Sequence, residues 1–178
     1  CRTMKNIFRQ LRESRFTYSP LISIDIYKES LLHNLTYYQD SVPGCQIAPV
    51  LKSNAYGHGL VIVAKVLDDK NIPFIVVDTY YEALVLRNER IKKHILIIGY
   101  TSVDTMVKNK LKNVSFTLID EHVDLLVSKA IKPIDIHLKF DTGMHRQGIT
   151  LNSGSTIGPR GTISKLLSNR NIQITGVC

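Results

Sequence analysis

The chain has 178 residues, 44% hydrophobic and 21% charged, a globular balance with enough apolar mass for one sizeable core. No apolar run approaches the roughly 20 residues that cross a bilayer. Three cysteines, Cys1, Cys45 and Cys178, are too few and too scattered for a disulfide framework or a Cys-rich metal site. A cytoplasmic protein with no membrane span and no resident metal is therefore expected. The net charge of +8 raises nucleic-acid binding, but tryptophan is absent and the basic residues beyond the first segment are dispersed. No stacking platform stands out, and no nucleic-acid partner is expected.

In chain order, residues 1–20 form a basic arm, where Arg2, Lys5, Arg9, Arg12 and Arg15 face the single acid Glu13. The arm is read as solvated and outside the fold, and no continuous apolar stretch makes it a secretory signal. Residues 21–26, LISIDI, read as a strand that a second domain of a larger protein would use. Residues 28–38 follow as a helix with Leu31, Leu32 and Leu35 on one side. Six short strands are then predicted at 46–51, 74–77, 95–98, 115–119, 134–140 and 172–178. Helical spacing between them spans 60–70, 80–93, 103–111, 121–130 and 162–169. Residues 152–156, NSGST, with Gly158, Pro159 and Gly161 behind them, read as a surface loop.

Repeated β-α units with short connections require a parallel sheet, either doubly wound or closed as a (β/α)8 barrel. No Gly-rich dinucleotide turn or phosphate loop follows the first strand, and the strand spacing is regular. Both features favour the barrel. A complete one needs eight strands and about 250 residues. The expectation over 21–178 is an α/β fold: an incomplete TIM-type barrel with about six of eight strands.

Alternation assigns faces. In 134–141, Ile134, Ile136, Leu138 and Phe140 share one side, while Asp135, His137, Lys139 and Asp141 share the other. The apolar side belongs under the helices, so the ionic side faces the barrel interior, near the C-terminal strand ends where active sites of this fold lie. The same parity sets Ala48, Val50 and Lys52 together and inward. Two inward lysines, Lys52 and Lys139, call for an anionic ligand, a lysine neutralised as a nucleophilic amine, acidic partners such as Asp141, or exposed strand ends from which both reach water. A desolvated lysine is what Schiff-base chemistry uses, since only the free amine attacks an aldehyde.

Residues 50–59, VLKSNAYGHG, resemble the pyridoxal-phosphate attachment signature of the alanine racemase family. Residues 139–148, KFDTGMHRQG, resemble a second block of that family, in the right order. Shorter matches flank them at Ile24 to Ile26, His33 with Asn34, Glu82 to Leu84, Leu86 with Arg87, and Ile95 to Gly99. The resemblance runs from about Leu21 to the end. It implies a fold-type III pyridoxal 5′-phosphate enzyme, a barrel followed by a C-terminal β domain, working as a homodimer on alanine and supplying D-alanine for peptidoglycan. It also implies that Lys52 carries the cofactor and acts as acid/base at one face of the substrate α-carbon. Tyr56 is implied to lie near the cofactor phosphate, and Arg146 to contact the phenolic oxygen and the substrate carboxylate. Lys139 matches a lysine carbamylated in some members.

The acid/base for the second face, a tyrosine in the family, belongs to the partner's C-terminal domain. The last barrel strands, which carry much of the phosphate site, also lie beyond these residues. The chain alone is therefore expected to be inactive. Alternatives are a serine or broad-specificity racemase, or a non-catalytic truncated product.

Overall fold

β-branched runs too short to form helices become the strands of one parallel sheet. The computed structural model describes residues 21–22, 24–150 and 158–178, and the basic arm and the 152–156 loop lie outside the described residues. Helix α1 (Lys28–Ser41) precedes a segment that makes a single parallel bridge, Val50 to Val76. Then follow α2 (Leu60–Leu67), β1 (Ile75–Val77), α3 (Tyr80–Asn88), β2 (Ile95–Ile97), α4 (Val103–Lys108) and β3 (Val114–Leu118). A 3-10 turn (Asp120–His122) leads into α5 (Val123–Lys129) and β4 (Ile134–Leu138). The short β5 (Phe140–Asp141) and β6 (Ile149–Thr150) pair with each other, and α6 (Gly158–Leu167) and β7 (Ile172–Val177) complete the described chain.

The main sheet has the order β1-β2-β3-β4-β7, parallel throughout. With the bridged segment at Val50 on its β1 edge, it makes an arc of six strand positions, the incomplete barrel that the spacing predicts. Among the described residues no helix is long and apolar enough to cross a membrane.

The core lies between the outer face of the arc and the helices. Leu60, Val63, Ala64 and Leu67 put one stripe of α2 against it, and Ile75, Val77, Ile95, Ile97, Phe116, Ile136 and Leu138 supply the strand side, all nearly inaccessible. In β4, Ile134, Ile136 and Leu138 are buried while Asp135 and His137 are half-buried, as alternation requires. The inner face carries rings: Phe74 meets His137 edge-on at 5.7 Å and His94 at 6.4 Å, and His94 Nε2 lies 2.7 Å from Ser115 Oγ.

Several expectations need correction. The described residues of the 21–26 segment form no strand, and Leu21, Ile22 and Ile24 are exposed; the strand expected there is one that a second domain would have to pair. The first expected strand contracts to its Val50 bridge, since the chain turns away at Leu51 (φ −112°, ψ 14°). The loop expected through Gly161 ends earlier: α6 starts at Gly158 and accepts Pro159 in its first turn, where a missing N–H costs nothing.

Arg87 ties two connections to one helix. Its guanidinium donates to the carbonyls of Ile91, Lys93, Lys112 and Asn113 at 2.7–2.9 Å. Arg87→Ala strands these acceptors, and we expect the full-length protein to lose about 3 kcal/mol in urea denaturation. An unchanged midpoint would contradict this.

Burial pushes the imidazoles of His94, His122 and His137 below the ordinary 6.5, against a smaller upward pull from Asp135 on His94 and His137 and from Glu121 on His122. Their folded forms bind protons less readily than the unfolded chain. The stability they contribute is therefore complete above pH 6.5 and is lost as pH falls below that value. Urea midpoints that stay flat from pH 7.5 to 5 in the wild type would refute this coupling.

Candidate active site

Parallel strands put all their C-terminal ends on one rim, and the two sequence blocks with distinctive chemistry both reach it. At the first position, Leu51 N–H donates to Val76 O at 2.7 Å and Val76 N–H donates to Pro49 O at 2.9 Å, which anchors the chain immediately before Lys52. Strand parity does not carry to Lys52, because Leu51 has left the extended region. Lys52 is half-buried at the head of a turn, and that turn rather than strand parity sets its position.

The turn is left-handed. Ser53, Asn54, Ala55 and Tyr56 have φ of 53°, 57°, 52° and 53°, and Gly57 follows at 93°. Each non-glycine residue there costs on the order of 1–2 kcal/mol. Hydrogen bonds hold the conformation: Ala55 N–H to Leu51 O at 2.8 Å, and Gly57 and Gly59 N–H to Asn54 O at 3.1 and 3.0 Å. Asn54 Oδ1 accepts Leu60 N–H at 2.9 Å, joining the turn to the start of α2. His58 Nδ1 lies 2.9 Å from Ala55 O, a structural contact within the turn. Tyr56 is 62% exposed and borders an apolar cavity of about 320 Å³ between α1 and the first strand position.

Lys139 follows β4, half-buried, its N–H donating to Leu118 O at 3.0 Å. Arg146 is exposed on the loop joining β5 to β6. Asp141 holds that loop, with Oδ1 accepting the N–H groups of Gly143 and His145 at 3.0 Å each, and these two bonds, with the His145 imidazole nearby, keep its carboxyl below the usual value. Gly148 (φ 141°) closes the loop, since a Cβ there would come within 2.6 Å of Asp141 N. Among the described residues no hydrogen bond or ion pair joins Lys52, Tyr56, Lys139 and Arg146 to one another. A second cavity, about 380 Å³ and lined by His94, Asp135 and Lys132, opens at the opposite, N-terminal end of the strands.

Glu82, on the first turn of α3, was visible in the sequence only as a flanking match. Its Oε1 accepts Ser53 N–H at 2.8 Å, and its Oε2 accepts Asp78 and Thr79 N–H at 2.9 and 3.1 Å. Thr79 Oγ1 accepts Glu82 N–H in return, completing a capping box. The T-x-x-E spacing from Thr79 to Glu82 carries that signal locally. Nothing local marks the bond to Ser53.

Lys52, Lys139 and Arg146 enter no ion pair among the described residues. A primary amine on a rim that also carries the Arg146 guanidinium suits an anionic ligand that carries an aldehyde, so this donor set fits pyridoxal phosphate. Fold and rim together define a partial parallel β/α barrel that carries a half-buried lysine on its C-terminal rim. The family model for the alanine racemase N-terminal domain matches residues 26–178, and the chain belongs to the alanine racemase family.

Similar proteins include the alanine racemase of Fusobacterium nucleatum subsp. nucleatum, 32% identical over 155 residues, covering 86% of this chain and 42% of that protein. The serine/alanine racemase of Enterococcus gallinarum is 38% identical over 124 residues, covering 69% of this chain and 18% of that protein. A solved alanine racemase of Clostridium difficile 630 aligns with a TM-score of 0.74 at 27% identity, over 84% of this chain and 40% of that one. The chain thus spans less than half the length of these relatives.

Asn54→Ala removes both the cap on Leu60 and a residue type that tolerates the left-handed region, at an expected cost of about 1–2 kcal/mol. Asn54→Gly loses the cap alone and should lie between wild type and Asn54→Ala in urea midpoint. The reverse order for the two variants would show that the turn is not strained.

Proposed function

We propose that the chain is the lysine-bearing barrel part of a pyridoxal-phosphate-dependent amino-acid racemase acting on alanine. The observation that carries this reading is the half-buried Lys52 at the head of a strained, hydrogen-bonded turn on the C-terminal rim, with no ion-pair partner among the described residues. Pyridoxal phosphate, when bound, supplies an aldehyde for a lysine amine and a ring that withdraws electrons from the bond to the substrate α-hydrogen.

Lys52 holds the cofactor and takes or returns a proton at its Nζ on one face of the substrate α-carbon. Arg146 binds the substrate carboxylate and the cofactor's phenolic oxygen. Tyr56 serves the phosphate. A carbamate on Lys139 turns that cation into an anion able to orient Arg146. Racemisation requires an acid/base on each face, and the second comes from the remainder of the whole protein, acting as a homodimer. Cytoplasmic supply of D-alanine for peptidoglycan is the role this activity suits. A serine substrate is the second reading, favoured by the similarity to an enzyme named serine/alanine racemase.

Full-length protein incubated with pyridoxal phosphate, reduced with borohydride and digested should carry the added mass on the Lys52 peptide, and Lys52→Ala should carry none. Absence of the adduct in wild type sinks the reading. Alanine should be racemised with a kcat/KM at least about tenfold above that for serine; the opposite preference replaces only the substrate.

A further inference from the structure

We infer that Glu82 is the positioning residue for Lys52: its carboxylate locks the left-handed turn that presents the lysine to the neighbouring strand end. The assignment rests on the reading of Lys52 as the cofactor-bearing amine. Ser53 N–H, the peptide group directly after Lys52, donates to Glu82 Oε1 at 2.8 Å. The other oxygen is held by Asp78 and Thr79 N–H at the end of β1. One half-buried carboxylate thus joins two adjacent rim segments, the turn at Ser53 and the end of β1 at Asp78 and Thr79.

The remaining hydrogen bonds of the turn lie within residues 51–60, and the strand bond at Leu51 precedes the strained residues. Among the described residues, the contact from Ser53 is therefore the hydrogen bond that fixes the strained segment itself to the rest of the rim. Four consecutive non-glycine residues at positive φ relax toward ordinary backbone unless something outside them resists. A shift of about 1 Å in the lysine amine is enough to cost a reaction about a hundredfold. The capping box gives a control. Thr79 Oγ1 accepts Glu82 N–H and supports α3 without touching the Lys52 turn.

Two measurements on the full-length protein decide the matter in wild type, Glu82→Ala, Glu82→Gln and Thr79→Ala. The first is hydrogen exchange of the peptide covering residues 53–58 without cofactor. The second is the rate at which pyridoxal phosphate with borohydride labels Lys52. Glu82→Ala should exchange at least about tenfold faster in that peptide and label at least about tenfold more slowly. Glu82→Gln keeps one acceptor oxygen and should fall between wild type and Glu82→Ala, a comparison that stands even if the alanine variant fails to fold. Thr79→Ala should leave exchange in 53–58 and labelling within about twofold of wild type. If Thr79→Ala matches the Glu82 variants in both readouts, or if Glu82→Ala matches wild type in both, Glu82 is only a helix cap and the assignment falls. A wild type that never labels Lys52 overturns the functional reading instead, and the exchange pattern still decides whether Glu82 holds the turn.

Discussion

A parallel strand needs cover on both faces, and this requirement organises the molecule. In the arc, β1, β2 and β3 are buried along their whole length, with helices outside and the neighbouring inner side chains within. Because the ladders run in one direction from β1 to β7, every C-terminal strand end falls on the same rim. Lys52, Glu82, Gly99 and Lys139 come from four different β-α units and all lie on that rim without any being near another in sequence. Gly99 shows how closely these units approach: its N–H donates to Asp78 O at 2.9 Å, and a Cβ on it would stand 2.3 Å from that oxygen.

The Lys52 turn is the place where local preference and tertiary structure disagree. Four left-handed residues cost on the order of 4–8 kcal/mol. The backbone N–H groups of Ser53, Ala55, Gly57, His58, Gly59 and Leu60 each donate a hydrogen bond that holds the turn, returning about 1 kcal/mol each. The turn is therefore close to balanced and depends on each of its contacts. Strain of this kind persists where the surroundings over-determine it, and here they do so immediately after the lysine.

Much of the fold was legible because period and residue type agree. Ile134, Ile136 and Leu138 alternate with Asp135 and His137, and the structure buries the first set. Leu60, Val63, Ala64 and Leu67 repeat at helical spacing, and α2 buries all four. The site was legible as two motif blocks, but not as geometry. Parity carried to Lys52 assumes that Leu51 stays extended, and a short polar run after it cannot announce a left-handed turn, although Asn54, Gly57 and Gly59 are residues that tolerate one. The parallel pairing of β5 with β6 and the bond from Ser53 to Glu82 join residues that no spacing rule connects. Helix ends were overrun by several residues at α2, α3 and α4, where the apolar pattern continues into the connections.

The charges on the rim divide by task. Glu82 accepts three backbone N–H groups and Asp141 accepts two, so both carboxylates are committed to holding the segments on which Lys52 and Arg146 sit. Neither pairs with those cations. Had the acids neutralised the lysine and arginine directly, the rim would be electrostatically closed and an anionic ligand would first have to break an ion pair. By binding backbone instead, they order the loops and leave the cationic side chains available. The same two residues thus supply rigidity to the rim and leave its positive charge unpaired.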